Sequence, residues 1–383
     1  MRLTDICDFQ GGSQPPKDEW LFEKQEGYIR MLQIRDFTQS EKVVPEYVKI
    51  SKSTKICQAD DILIARYGAS IGKILTGLSG AYNVAIMRAI PDTHMLQKKY
   101  LYYYLKSPYF QTAILNVGSR AAQAGFNKED LSKLEIKCPL LSEQDSIIDI
   151  LQKVESIIGK RKKELIFLDE LVKARFVEMF GTLHDNENGF DIVTIEDVCS
   201  LIKDGTHQTP QYTEDKKEGY KFLSSKDVMS QKVDWTNIKY IPAELHEKLY
   251  ATIKPQRNDI LMSKNGVNYG VAAVNDTDEV FDIYVSLALL RPKKIIDPVF
   301  LKCVINNPET KWQFDSSIKG IGVPNLHLGE IKKTRMFLPP IELQNQFADF
   351  VRAIDKSKVA IQKLIITIKT EKTVFHHYCL YIV

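Results

Sequence analysis

An apolar seam runs from Ile147 through Leu151, Val154, Ile158, Arg161, Leu165, Leu168, Val172 and Arg175 to Met179, in alternating steps of four and three. Charged residues fill the intervening positions, no proline interrupts residues 142–180, and only Gly159 weakens the helical pattern. Such a helix would run on the order of 55 Å. A stripe this narrow and this long calls for a partner helix, so the next question is where in the chain that partner lies.

An internal repeat locates it. DILIARYGASIG at 61–72 and DILMSKNGVNYG at 259–270 align without a gap, each giving a buried strand, a basic residue and a turn bracketed by glycines. LTDICDFQGG at 3–12 recurs as IEDVCSLIKDG at 195–205, and GYIRML at 27–32 as GYKFLS at 219–224, followed by Asp36 and Asp227. YVKIS at 47–51 is answered by KYIP at 239–242, Arg88 by Arg291, and YLYYYLKSP by FLKCVINNP, whose closing prolines Pro108 and Pro308 stand 200 residues apart. Residues 125–144 then correspond to 322–344, with Pro139 against Pro339 and Gln144 against Gln344. Each half reads as short strands, turns and short helices, ending in a proline step that launches a long helix.

At the same offset the second helix carries Phe347, Val351, Ile354, Lys358, Ile361, Ile365 and Ile368 as its seam. Its polar exceptions are out of phase with the first: Ile158 corresponds to Lys358, and Arg161 to Ile361. A polar seam residue fixes register and partner choice, which suits two unlike helices pairing with each other. The competing arrangement is two ordinary amphipathic helices, each packed on its own domain.

The chain is 383 residues long with 44% hydrophobic and 26% charged residues, enough for two domains with separate cores and not the composition of a disordered chain. No apolar run reaches membrane-spanning length, and the opening MRLTDICDF lacks a secretory pattern, so a soluble cytoplasmic protein is expected. Six cysteines, at 7, 57, 138, 199, 303 and 379, form neither a C-x-x-C pair nor a Cys/His cluster, and read as reduced, mostly buried thiols. A net charge of +3 is compatible with nucleic acid but too mild to identify it.

Two strand-rich halves, each ending in a proline-to-helix launch before Gln144 or Gln344, together with the two glycine-bracketed phrases and LDELVKARFVEMFG at 168–181, resemble the specificity (S) subunit of Type I restriction-modification systems. The resemblance covers essentially the whole length. It implies an α+β fold with two target recognition domains and two long helices paired as an antiparallel coiled coil. The boundaries read as a first recognition domain at 1–141, a central helix at 142–181, a second recognition domain at 182–341, and a C-terminal helix and tail at 342–383. It further implies a non-catalytic subunit that reads a bipartite, asymmetric double-stranded DNA site. The implied partners are two methyltransferase subunits and restriction (nuclease-translocase) subunits, with S-adenosylmethionine and ATP bound on those partners and no cofactor on this chain. One departure stands out: FVEMFG at 176–181 has TVFHHYCLYIV opposite it, so the second helix is expected to fray or end early, at about Lys372.

The glycine-bracketed turns are the first candidates for DNA approach, because glycine lets backbone come close while basic and polar neighbours supply the contacts. They offer Arg66, Tyr67, Ser70 and Lys73 in the first half, and Lys264, Asn265, Asn268 and Tyr269 in the second. The plainer reading is a tight hairpin with solvated charges. A second surface is formed by the Gly/Ser/Gln/Asn-rich stretches 118–127 and 318–325, with Arg120, Gln123, Lys319 and Asn325 as candidate contacts. His207 and Gln208 are weaker candidates.

Enzyme readings fare poorly. GASIG at 68–72 fits the nucleophile-elbow pattern G-x-S-x-G, yet the repeat places Asn268 where the nucleophile would stand. A nuclease reading from Pro91-Asp92 and Glu135-x-Lys137 has no match in the second half, NNPE at 306–309 is not an amino-methyltransferase motif, and no Walker A loop or metal-ligand spacing occurs. The rival from another class is a coiled-coil protein-interaction scaffold without sequence-specific DNA binding.

Overall fold

The gapless repeat becomes two strands with the same task. Ile62–Ala65 and Ile260–Ser263 are buried at every residue. Strand alternation sends Ile62 and Ile64 into a core with Tyr100, Tyr104 and Phe110, while Leu63 and Ala65 enter another with Leu32, Tyr82 and Ile86. Likewise Ile260 and Met262 join Phe300 and Phe347, and Leu261 joins Leu223 and Phe281. A strand covered on both faces has no polar alternation to display, which is why both phrases read as continuous apolar runs.

The computed structural model describes residues 1–118, 125–318 and 324–380. It divides into two units, one of Met1–Lys163 with Ile361–Val383, the other of Glu164–Ala360. In the first unit a sheet runs in the order Cys7–Gly11, Ile86–Pro91, Ile62–Ala65, Ile74–Leu75, antiparallel throughout. The second unit repeats it as Cys199–Asp204, Leu287–Pro292, Ile260–Ser263, Ala272–Val274. Register repeats too, with Cys7 opposite Pro91 and Cys199 opposite Pro292. The flanking sheets also share a plan: Tyr28–Leu32 and Tyr220–Leu223 each pair antiparallel with the next strand, and parallel with Gly80–Tyr82 or Phe281–Ile283. The fold is therefore α+β, built twice.

Buried carboxylates recur at matching corners. Asp61 bonds Arg88 at 3.0 Å and accepts from the Gln58 backbone N–H; Asp259 bonds Arg291 at 2.8 Å and accepts from that of Gln256. Asp36 and Asp227, buried as well, accept from the N–H groups of Gln33 and Ser224. A carboxylate holding several donors supports a turn that would otherwise leave amides unpaired.

The long helices are Leu141–Phe180 and Ile341–Leu380, 40 residues each. Within the first unit their segments pair antiparallel, since Lys372 bonds Glu155 at 2.7 Å while Leu380, further along, shares a core with Leu151 and Ile148. Within the second, Phe347 packs edge-on against Phe176 and Phe180, and Lys358 is ion-paired with Asp169. The out-of-phase polar seam residue thus meets a carboxylate on the other helix. The expected fraying near Lys372 does not occur. Leu380 is fully buried in the core with Tyr100 and Leu151, and the Lys137 N–H donates to its carbonyl. His376 and Leu380 occupy the places that Phe176 and Phe180 hold in the other unit, so the helix is anchored by different side chains at the same positions.

All six cysteines are free; Cys7, Cys57 and Cys199 are buried and the other three half-buried, short of the mostly buried set expected. Burial pushes the Cys7 thiol up to about 12, consistent with an inert core residue. No helix among the described residues is long and apolar enough to cross a membrane.

The launch of each long helix rests on one buried amide. Gln344 accepts from the Asp297 N–H at 2.9 Å and donates to the carbonyls of Pro339 and Ile295. Gln344→Ala strands these groups and is expected to cost about 2–3 kcal/mol. Urea unfolding followed by the fluorescence of Trp235 and Trp312, both in the same unit, should show the lowered midpoint.

Candidate nucleic-acid interface

Where each buried strand ends, the chain makes the same turn twice. The Gly72 N–H donates to the Ala65 carbonyl at 2.9 Å, and the Gly270 N–H to the Ser263 carbonyl at 2.8 Å. Gly68 and Gly266 both adopt positive φ, +69° and +88°, a conformation that a side chain would strain. The following loop braces the turn, through Arg66 N–H to Ala85 in one unit and Lys264 N–H to Ser286 in the other. Ile62–Ala65 pairs antiparallel with both its neighbours, so Ser70 does not sit in the parallel strand-turn-helix setting of a nucleophile elbow.

The two surfaces picked out from sequence meet. Tyr67 forms a β-bridge with Gly125, and Asn265 forms the equivalent bridge with Asn325. The Gly266 N–H donates to Pro324, the Leu326 N–H to Lys264, and the Arg66 guanidinium to the Phe126 carbonyl at 3.3 Å. In each unit a glycine turn and the end of the Gly/Asn-rich stretch therefore form one exposed rim. Arg120, Gln123 and Lys319 lie outside the described residues.

The profile for the Type I restriction modification DNA specificity domain matches residues 1–166 and again 187–370. The chain belongs to that family. It is 22% identical over 380 residues to the MjaVIII Type I restriction enzyme specificity subunit of Methanocaldococcus jannaschii, spanning 93% of this chain and 85% of that protein. The EcoBI specificity subunit of Escherichia coli is 22% identical over 325 residues, 76% of this chain and 68% of that one. Among solved structures, one from work on complex assembly and conformational transition of the type I R-M system covers 99% of this chain and 96% of its own, with TM-score 0.62 and 15% identity. The Type-I restriction-modification system S subunit from M. genitalium covers 100% and 96%, with TM-score 0.52 and 13% identity. At these identities the structural likeness speaks to the fold.

Within this specificity-domain pair the side chains of the two rims differ. Tyr67 is exposed, with Arg66 over its ring at 5.0 Å; Arg66 is half-buried and, among the described residues, has no carboxylate partner. Lys73 is exposed and Ser70 half-exposed. In the second unit Asn268 and Asn325 are exposed and Asn265 is half-buried.

Two expectations need correction. Lys264 is only 4% exposed, and its ammonium lies 2.6 Å from Asp204, so it supports the rim from beneath instead of facing outward. Tyr269 is buried, with its hydroxyl donating to Asp315, itself paired with Lys311. Asp204 was missed as a site residue; it also lies 3.3 Å from His207, which is exposed. Its repeat counterpart is Gly11, whose neighbour is the Arg66 guanidinium. One rim thus carries a basic group without a counter-charge, while the other closes its basic group on an acid.

Burial pushes the Asp204 carboxyl up, but the Lys264 ammonium outweighs it and leaves the group below its ordinary 3.8. A depressed carboxylate contributes stability that is present above 3.8 and is lost as pH falls through the lower folded value. Lys264→Met is therefore expected to lower the melting temperature near neutral pH. The gap from wild type should shrink as pH falls from about 7 to about 3, which paired thermal melts would detect.

Proposed function

We propose that this chain is the DNA-reading subunit of a Type I restriction-modification complex and carries no catalytic activity itself. Each unit reads one part of a split, asymmetric double-stranded site, and the paired helices set the gap between the parts. Methyltransferase and restriction subunits, with their S-adenosylmethionine and ATP, are directed to the site by docking on this chain. A cytoplasmic location goes with this reading.

The observation that carries the proposal is the pair of rims, alike in the backbone bonds that close the turn and different in side chain. A scaffold serving only to bind proteins has no need to keep the same turn twice while varying its exposed residues. DNA reading does, since the backbone fixes approach to the groove and the side chains select bases. Arg66 and Lys73 are suited to guanine edges or phosphates, and Asn268 and Asn325 to adenine. The MjaVIII and EcoBI relatives bear the name specificity subunit, which supports the same assignment.

Arg66→Ala should leave the fold intact, weaken specific DNA binding by about 1–2 kcal/mol, and flatten the salt dependence by roughly one phosphate contact if the guanidinium meets the backbone. Unchanged affinity across a salt series would remove Arg66 from the interface. For the subunit as a whole, methylated bases mapped in DNA exposed to the reconstituted complex should define two unlike half-sites. Exchange of one unit for that of a related protein should alter only one half. A continuous palindrome would contradict this reading, and absence of any sequence preference would favour the scaffold.

A further inference from the structure

The repeat gives each position of one unit a counterpart in the other, and at one place the counterparts differ sharply in charge. In the first unit a cleft of about 410 Å³ is lined by Lys106, Glu155, Lys369, Lys372 and His376. At the offset of 200, the second unit has Asn306, Asp355, Asp169, Val172 and Phe176. The carboxylate is kept and the four other positions change. In the second unit the basic groups near these carboxylates are paired with them, Lys358 with Asp169 and Lys232 with Asp355. In the first unit three ammonium groups face one carboxylate. Lys372 bonds Glu155, Lys106 donates to the Tyr102 hydroxyl at 2.9 Å, and among the described residues neither Lys106 nor Lys369 has a carboxylate partner.

His376 sharpens the contrast. Its counterpart Phe176 stacks on Phe300 and meets Phe347, as an aromatic anchor should. His376 is 5% exposed, lines the cleft, and leaves its buried Nε2 without a hydrogen-bond partner among the described residues. A buried polar atom without a protein partner costs stability that a phenylalanine would not, and here it stands beside ammonium groups suited to an anion. We propose that this cleft binds a phosphate oxyanion, held by Lys106, Lys369 and Lys372 with His376 donating from its buried ring. The phosphate comes either as a free ion or small phosphorylated molecule, or from a nucleic-acid backbone. None of the rim residues takes part, so the assignment stands apart from the DNA-reading proposal.

Burial, reinforced by the Lys372 charge, holds the His376 imidazole down at about 4. The groups that face it are Tyr103 from the tyrosine-rich helix, Glu155 from the central helix, and Lys106, Lys369 and Lys372. An oxyanion among them favours the imidazolium and so raises the His376 pKa from that value.

The test uses the full chain with its seven histidines carbon-13-labelled, the His376 signal being assigned from a His376→Gln variant. Inorganic phosphate is titrated against chloride at matched ionic strength, and a short DNA duplex in a separate arm. The expected result is a saturable shift of the His376 signal in at least one arm, weakened about tenfold or more in Lys106→Asn/Lys369→Asp, which installs the second unit's residues at two exposed positions. The remaining histidine signals report whether that variant is folded. Response to phosphate supports the site with a free ligand; response to the duplex alone supports it with a backbone phosphate. No His376 shift in either arm, or equal binding by the folded variant, overturns the proposal.

Discussion

The organisation of this protein depends on two buried glutamine side chains. Gln144 accepts from the Gln97 N–H at 2.9 Å and donates to the carbonyls of Met95 and Pro139; Gln344 makes the same set with Asp297, Ile295 and Pro339. Each side chain ties the first turn of a long helix to the loop that starts a second, shorter helix and to the proline that ended the preceding segment. Both amides are fully buried, so the groups they satisfy have no recourse to water. A hydrophobic residue would hold the helix by area alone and permit rotation. An amide with one acceptor and two donors fixes its direction, and the seam faces its partner only if that direction is right.

What the repeat preserves and what it discards then follow from the same logic. Positions that settle backbone problems persist, as with the buried Asp61 and Asp259 and the positive φ at Gly68 and Gly266; the arginines paired with the two carboxylates do not match as the sequence suggested, since the register sets Arg88 level with Leu289 and Arg291 level with Ile90. The apolar pattern of Ile62–Ala65 and Ile260–Ser263 persists because both faces feed cores. Outward-facing side chains on the rims, such as Tyr67 and Asn268, drift, because they enter none of the cores. Similar frames with unlike rims are what gene duplication leaves when only the frame is under packing constraint. Additions beyond the frame occur as well: Ala243–Tyr250 has no counterpart among the described residues of the first unit, and it lays His246 on the buried Asp282 at 2.7 Å with Tyr220 stacked at 3.7 Å.

The parts of this architecture legible in the sequence are those governed by periodicity. Both seams, the two proline launches and the alignment of strand and turn were readable because helix and strand impose fixed spacings on apolar residues. The burial of Lys264 and Tyr269 was not, because their partners Asp204 and Asp315 lie 60 and 46 residues away and no local pattern announces an ion pair formed across a fold. A lysine after an apolar strand looks alike whether it meets solvent or a carboxylate. The end of the second helix was misread for a related reason: at the positions of Phe176 and Phe180 it has His376 and Leu380, yet these keep the burial spacing. Matching residue identity missed what matching spacing would have found.

The rims carry the same lesson into function. Asp204 and Gly11 occupy equivalent strand ends, beneath Lys264 and beside Arg66. A carboxylate at one neutralises the basic side chain above it and converts a surface charge into a buried brace. Glycine at the other leaves a guanidinium held by the carbonyls of Phe126 and Val84 and by the Tyr67 ring, with no carboxylate partner among the described residues. Carbonyls orient an arginine without cancelling its field, so the group stays both rigid and attractive to an anion. A single difference beneath the turn therefore gives one rim a positive group and leaves the other to exposed amides. In this geometry a residue beneath the turn decides whether the basic group above it is closed on an acid or left without one among the described residues.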